Sequence, residues 1–579
     1  MNLIQKTFFL LDNNDKKKSL NLIFLFTIST IMEILSIGLI IPFVSVLLDI
    51  DYLDKIRFFL NSFFINFNFF SVTNKSLIIM MITSFIFLYI FKLFFMFFVI
   101  SYRTKFSSSI STKLSHGILT SYLFRDYFFH LSNNSSKLIL NCRDEVLRFS
   151  FDIILSTLEI ITEVFIILGL LGLLFYIEPF GTLVVILFAF ITSLSYLLYT
   201  HNKIMKWGNE RRINDVISIK NIQTSLGGIK EIIINSRQNF FLQPFLASTL
   251  KANNFLRKQQ TLLDSSKYYI ELVAVISVFS LIYFLINFSN ESQTLAITKL
   301  SLFAAVFFKV LPSLNRMLAS RQKIIFSIPV IEILYKEILN LKSLKLNKYN
   351  NIKKNSFNFQ KNIKLKNIHF SYQDKSIFKN IDLNIKKGET IAIIGESGSG
   401  KSTLLSLIIG LIKPQSGEIF IDNQNIKNIK SDFQGLVGLI PQSFYMLDDT
   451  IRSNIIFKPN YADLSYDGEI YECLKKAQIY DFVTKLPRGL DTIIGERGSR
   501  ISVGQAQRLS IARALFKKPK ILVLDEATSA LDYENEKNFL DVIKKLKGND
   551  ITLIIVSHKL KSLNFVDNIY KIENKELKK

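Results

Sequence analysis

The sequence predicts a polytopic α-helical membrane domain followed by a soluble α/β domain built on a phosphate-binding loop. Two observations predict that division. Six apolar runs, each long enough or nearly long enough to cross a bilayer, fall within the first 341 residues. After about residue 363, short β-branched runs alternate with helical ones, and a glycine-rich loop at 395–403 sits between a strand and a helix. Composition agrees: 49% of the 579 residues are hydrophobic, with 53 Phe and one Trp. A mean hydropathy of +0.29 is too apolar for an ordinary soluble protein of this size.

The formal net charge is +24. That excess suits either a nucleic-acid surface or membrane topology. The basic residues are spread between apolar runs and no nucleic-acid-binding signature is present, so no nucleic-acid partner is expected. Retention of Lys and Arg on the cytoplasmic side accounts for the excess. The two cysteines, Cys142 and Cys473, fall in different cytoplasmic regions, which argues against a disulfide or a metal site.

Residues 1–18 are basic, with Phe8, Phe9, Leu10 and Leu11 suited to the membrane interface. Lys16, Lys17 and Lys18 precede an apolar run too long for a cleavable signal. The membrane domain covers 19–341, with spans at about 20–48, 77–100, 153–177, 182–199, 269–288 and 295–311. The first outer loop holds an amphipathic stretch at 52–60, suited to lie in the interface. The second and third outer loops are a turn at 178–181 and the uncharged-to-acidic loop 289–293. Basic stretches at 101–150 and 201–267 place both long inner loops and both termini in the cytoplasm. Inner loops of that length are expected to continue the membrane helices. A Lys- and Asn-rich linker is expected at 342–362, and the soluble domain at 363–579.

Glu33 lies inside the first span; Lys92, Lys309 and Arg316 lie within or at the inner ends of spans two and six. Charges at such depth line a cavity or a protein interface, because exposure to lipid is costly. These four are the candidate substrate-cavity residues. Snorkelling from helix ends is the alternative account of the cations.

The phosphate loop reads Gly395, Glu396, Ser397, Gly398, Ser399, Gly400, Lys401, Ser402, Thr403. Its glycines let backbone N–H groups converge on phosphate oxygens at a helix N-terminus. Lys401 is placed to reach the β- and γ-phosphates of a nucleotide, and Ser402 to ligate Mg²⁺. A second strand, 521–525, ends in Asp525 and Glu526. Asp525 is placed to hold Mg²⁺ and Glu526 to polarise an attacking water.

With those residues in place, the segment Ile501-Ser-Val-Gly-Gln505 resembles the signature of the ATP-binding cassette (ABC) family, and the rest of that family's pattern follows in order. The resemblance implies that Tyr372 stacks on adenine, and that Gln442 senses Mg²⁺ and the membrane domain. It implies further that Asp532 belongs to the segment facing a partner subunit, and that His558 senses the γ-phosphate. Ser502, Gly504 and Gln505 would touch the ATP held by a second chain. Glu496-Arg497-Gly498 is similar to a motif carried by exporters just before the signature. Val503 stands where the family usually has glycine.

The resemblance implies an ABC exporter half-transporter in a bacterial cytoplasmic membrane, with ATP and Mg²⁺ as cofactors. Glu526, His558 and Lys401 would be its catalytic residues. One nucleotide domain per chain implies a homodimer. The pattern of Glu33, Gly38 and Ile41-Pro-Phe43, the segment Gly227-Gly-Ile-Lys-Glu-Ile232 and the outer amphipathic stretch are similar to flippases for lipid-linked oligosaccharides. The expected activity is ATP-driven transfer of a polyprenyl-pyrophosphate saccharide between leaflets. Generic export of lipid, peptide or drug-like cargo and an ATP-gated channel are the alternatives. No solute-binding or peptidase module is expected ahead of the first span.

Overall fold

A computed structural model of the chain describes residues 2–39, 46, 52–63, 73–177, 179–288, 293–343, 357–372, 375–527, 533–547, 550–557 and 564–579. The chain divides into two compact units. One comprises Met1–Arg125 and His130–Leu346, the other Asp126–Phe129 and Asn347–Lys579. The second unit thus takes four residues from the first inner loop, and much of the expected linker, which sequence patterning had no means of assigning.

The first unit is helical. Among the described residues its six long helices are Asn13–Gly38, Asn74–Leu123, Ser156–Ile177, Pro179–Gly227, Gln238–Phe288 and Gln293–Ser343. Asn74–Leu123, Pro179–Gly227, Gln238–Phe288 and Gln293–Ser343 each contain one of the apolar runs, whereas the runs at 20–48 and 153–177 reach beyond Asn13–Gly38 and Ser156–Ile177. By hydropathy over the described residues alone, Asn13–Ser36, Asn74–Leu123 and Ser135–Tyr176 are long and apolar enough to cross a membrane. A 50-residue helix such as Asn74–Leu123 is about 75 Å long at 1.5 Å per residue, more than twice the thickness of a bilayer core. Asn74–Leu123 and Pro179–Gly227 run on without a break into the stretches 101–150 and 201–267. Short helices Leu3–Leu10 and Tyr52–Phe63 occupy the two stretches read as interfacial. Tyr52–Phe63 buries Leu53 against Leu77 and Val46, while Asp54 and Phe58 stay exposed.

Ahead of the third apolar run and after the fourth, charged groups are buried in pairs. Arg211 is enclosed, 3.2 Å from Asp215 and 3.7 Å from Glu145, with its guanidinium over the Phe326 ring. Arg212 approaches the same Glu145 at 3.3 Å. Burial pushes the Glu145 carboxyl up, and Arg211 and Arg212 oppose that rise. Next to this cluster the chain forms a π-helical turn, Phe149–Leu155, in which Asp152 accepts a hydrogen bond from Ser327 at 3.0 Å. Within the turn Phe149, Ser150, Ile153 and Ile154 are buried.

The second unit holds two sheets. β1 (Asn362–Tyr372), β2 (Lys375–Lys386), β4 (Ser416–Ile421) and β5 (Gln424–Asn425) form an antiparallel sheet in the order β2-β1-β4-β5. The larger sheet contains β3 (Thr390–Gly395), β6 (Val437–Ile440), β7 (Ile521–Asp525), β8 (Thr552–Val556), β9 (Asn568–Glu573) and β10 (Glu576–Lys578). Its order is β10-β9-β3-β8-β7-β6, parallel except for the β9–β10 hairpin.

Burial explains why β3, β7 and β8 read as unbroken apolar runs. Alternate side chains enter different cores. Ile391, Ile393, Ile521, Val523, Ile554 and Val556 point to one. Ala392, Ile394, Leu522, Leu524, Leu553 and Ile555 point to the other. A parallel strand covered on both faces needs apolar residues at every position.

In the first unit, Gly208 sits where the helix Pro179–Gly227 meets Gln293–Ser343: an added Cβ would lie 1.9 Å from the Phe326 carbonyl oxygen. Backbone cannot yield as a flexible side chain does. Gly208→Ala is therefore expected to destabilise the helical unit by about 1–3 kcal/mol, seen as a lower midpoint in thermal unfolding of the detergent-solubilised chain.

Candidate active site

Parallel pairing brings the sequence-predicted groups to one edge. β3, β8, β7 and β6 are neighbours in register, with Ile393 opposite Val556, Asp525 opposite Val556, and Leu524 opposite Ile440. Their carboxyl ends therefore line up, which is where open α/β sheets bind ligands.

The phosphate loop leaves β3 and enters the helix Lys401–Ile408. Gly398 and Gly400 have φ of +80° and +102°, left-handed values that side chains disfavour. At Gly400 an added Cβ would also come within 2.9 Å of Ile377 and Phe378. Lys401 is 4% exposed. Its Nζ donates to the carbonyls of Gly395 and Glu396 at 3.1 and 3.0 Å, and lies 3.5 Å from Glu526 Oε1. The ammonium is thus curled inside the loop, directed by three oxygens.

Ser402 Oγ donates to Asp525 Oδ1 at 3.0 Å. Burial pushes the Asp525 carboxyl above its ordinary range, while Ser402 and Lys401 pull it down. A hydroxyl and a carboxylate oxygen in contact form the oxygen-donor set that suits a hard divalent cation, which takes its remaining ligands from phosphates and water. Gln442 Nε2 donates to Glu526 Oε2 at 2.9 Å. Glu526 itself has φ of +48°, a left-handed conformation held by its backbone N–H donating to Val556 O at 3.1 Å. Strain of that kind, of order 1–3 kcal/mol, persists where surrounding structure enforces it. Here it turns Glu526 out of the strand toward Lys401 and Gln442. Four residues predicted from separate motifs, Lys401, Ser402, Asp525 and Glu526, form one constellation with Gln442 attached.

Tyr372 ends β1, with Phe370 edge-on to its ring at 4.9 Å. Phe370 pairs across the hairpin with Phe378, the residue that abuts Gly400. A continuous aromatic path therefore links the phosphate loop to Tyr372. Asp532 and His558 lie outside the described residues.

The segment 501–505 has a local role as well. Ser502 caps the helix Val503–Phe516: its Oγ accepts from Gln505 N at 3.2 Å, while Gln505 Oε1 accepts from Ser502 N at 2.9 Å. This reciprocal box fixes the helix start. Val503 is 61% exposed, so its departure from the usual glycine displaces nothing in the packing of this chain. Arg497, in the preceding 3-10 turn, has φ of +53°.

The intramembrane charges are brought together, with a consequence for the cavity expectation. Glu33, 2% exposed, receives Lys92 on one carboxylate oxygen and Lys309 on the other. Lys92 also donates to Ser36 at 2.8 Å. Arg316 forms a bidentate pair with Glu163, at 2.5 and 3.0 Å. The three cations are thus balanced by two carboxylates, and snorkelling accounts for none of these contacts. Glu163 was not singled out from sequence, although a carboxylate inside an apolar run is the same signal that marked Glu33. Of the first-span pattern, 41–43 lies outside the described residues; Gly38 ends its helix.

If Val503 only faces solvent here, Val503→Ala should leave thermal stability within about 0.5 kcal/mol. Ser502→Ala should cost about 1 kcal/mol through loss of the cap. Thermal midpoints of the two purified variants compare the expectations directly.

Comparison with known proteins agrees with this geometry. Residues 378–529 match the family model described as ABC transporter. Two Staphylococcus aureus proteins, from strains NCTC 8325 and COL and named for multidrug export as ATP-binding/permease proteins, are each 43% identical over 221 residues. That match spans 37% of this chain and 37% of the length of those relatives. A solved bacterial Atm1-family ABC exporter with ATP bound superposes with a TM-score of 0.73 at 18% identity, covering 98% of this chain and 95% of its own. The chain as a whole thus has the fold of that ABC exporter, and its second unit carries the segment that matches the ABC transporter model.

Proposed function

We propose that this chain is an ATP-hydrolysing exporter subunit that works as a homodimer in a bacterial cytoplasmic membrane. The observation that carries the proposal is the cluster of Lys401, Ser402, Asp525, Gln442 and Glu526 at one sheet edge, in a chain with the exporter fold. Loop N–H groups and Lys401 bind the β- and γ-phosphates and offset charge as the terminal phosphoryl group leaves. Glu526, oriented by Gln442, accepts the proton of the water that attacks the γ-phosphorus. ADP and inorganic phosphate are the products. Ser402 and Asp525 would hold Mg²⁺, which would supply positive charge to offset that of the phosphates. His558 and Asp532 keep the roles implied by the resemblance.

The phosphate loop and the signature helix serve different nucleotides in this reading. Each ATP lies between the loop of one copy and Ser502, Gly504 and Gln505 of the other. Two copies of one competent chain give two competent sites. Pumping, rather than gating of a channel, follows from the presence of Glu526 as a base.

For cargo we propose a lipid-linked saccharide moved to the outer leaflet. The support is the sequence pattern around Glu33 and Gly38, the break between helices at Gly227–Gly228, and the amphipathic helix Tyr52–Phe63. A sugar headgroup cannot cross hydrocarbon unaided, since each unpaired polar group costs about 2–7 kcal/mol. The pairing of Lys92, Lys309 and Arg316 with Glu33 and Glu163 changes the electrostatic argument. A pyrophosphate would have to displace resident carboxylates. That same pairing favours generic export of a less anionic cargo as the second reading.

Two experiments separate these levels. Glu526→Gln is expected to retain ATP binding and lose at least about a hundredfold in turnover, as loss of a general base does; near-normal turnover would overturn the role of Glu526. Mixed dimers of a Lys401→Ala chain and a Ser502→Arg chain should recover part of the ATPase rate, because one of the two shared sites escapes both lesions. For cargo, liposomes containing the purified protein should expose a lipid-linked saccharide on the outer leaflet only with ATP. Movement of a simple lipid or drug-like dye instead would select the second reading.

A further inference from the structure

The four residues Asp126–Phe129 belong to the nucleotide unit although more than two hundred residues separate them from the rest of it. Two contacts hold them there. Asp126 accepts from Lys413 Nζ at 2.7 Å on Oδ2 and from Lys430 Nζ at 3.2 Å on Oδ1. Burial raises the Asp126 carboxyl, and the two ammonium groups outweigh it, leaving the group below its ordinary range. Phe129 N donates to Asp126 O at 3.0 Å, closing a turn. The turn presents Phe128 to Tyr372: the rings are parallel within 9°, with centroids 6.3 Å apart.

Tyr372 is thereby fixed from two directions. Phe370 meets it edge-on, at 88°, and Phe128 lies along it. Offset-parallel and edge-on arrangements are the two favoured aromatic geometries. Phe370 is buried and tied through Phe378 to the phosphate loop, so it sets where the Tyr372 ring stands relative to the triphosphate. Phe128 is half-exposed and is tied through its own turn to Lys413 and Lys430. A side chain at a strand end that is only partly buried would otherwise sample several rotamers. Ordering it in advance removes that entropy from the binding step.

We infer that Phe128 is a positioning residue for the purine base of the bound nucleotide, holding the Tyr372 ring at the angle on which the base stacks, with Asp126, Lys413 and Lys430 fixing Phe128 in turn. This inference rests on the reading of Tyr372 and the phosphate loop as a nucleotide site. It goes further in one respect. A stacking platform reads only the π-face of a base, and every base has one. The contribution of Phe128 is therefore equal for adenine and guanine and absent for a triphosphate that has no base.

The test uses the full-length chain in lipid nanodiscs, with Glu526→Gln throughout so that nucleotide is not consumed. Binding of MgATP, MgGTP and inorganic tripolyphosphate is titrated for the parent and for Phe128→Ala, Phe128→Tyr and Asp126→Asn. Phe128→Ala is expected to weaken both nucleotides by about three- to tenfold, the range an aromatic pair supplies, and to leave tripolyphosphate unchanged within about twofold. Phe128→Tyr should restore the nucleotides, and Asp126→Asn should fall between. Three outcomes overturn the inference: unchanged nucleotide affinity in Phe128→Ala, an equal loss for tripolyphosphate, or tighter ATP binding, which would mean that Phe128 stands in the place of the base. A parent that binds none of the three ligands would instead overturn the nucleotide-site reading itself.

Discussion

The site depends on one constraint, the parallel pairing of β3, β8, β7 and β6. Parallel strands end on the same side, so whatever follows each strand is delivered to a common edge. That edge receives the phosphate loop after β3, Asp525 and Glu526 at the end of β7, and Gln442 just after β6. The sheet can hold this register because it is buried on both faces, and a slip of one residue would exchange the contents of the two cores. Polar chemistry is therefore confined to the strand ends. The left-handed φ of Glu526 shows the transition from sheet to site within a single residue.

The membrane unit obeys a different rule with the same logic. Charges removed from water must find partners, and they find them here at a distance in sequence. Glu33 collects lysines from the second and sixth long helices, and Glu163 on the third takes Arg316 from the sixth. Elsewhere in the helical unit Glu145 collects Arg211 and Arg212. Each cluster ties helices that are not neighbours in sequence. Loss of one partner from such a cluster costs more than the cluster contributes, because the remaining charge is left buried. The same pairing neutralises the cations that sequence alone offered to an anionic cargo.

Sequence by itself determined the six apolar runs, the change of pattern after them and the motif residues of the second unit. The physical reason is local. A membrane span is a length of apolar residues, a doubly covered strand is an unbroken β-branched run, and a phosphate loop is a spacing of glycines before Lys401. Lys401, Ser402, Asp525, Glu526 and Gln442 were legible because each belongs to a short motif whose chemistry depends on neighbours in the chain. The capping role of Ser502 and Gln505 was equally local, though their motif pointed elsewhere first. Tertiary structure alone decided the rest. It set Lys92 and Lys309 against Glu33, and Arg316 against Glu163. It placed Asp126 between Lys413 and Lys430, and Phe128 along Tyr372, across about 240 residues of chain. No periodicity encodes such contacts. They depend on which helix faces meet and on where a four-residue turn comes to rest, and those are settled only when the whole chain has packed.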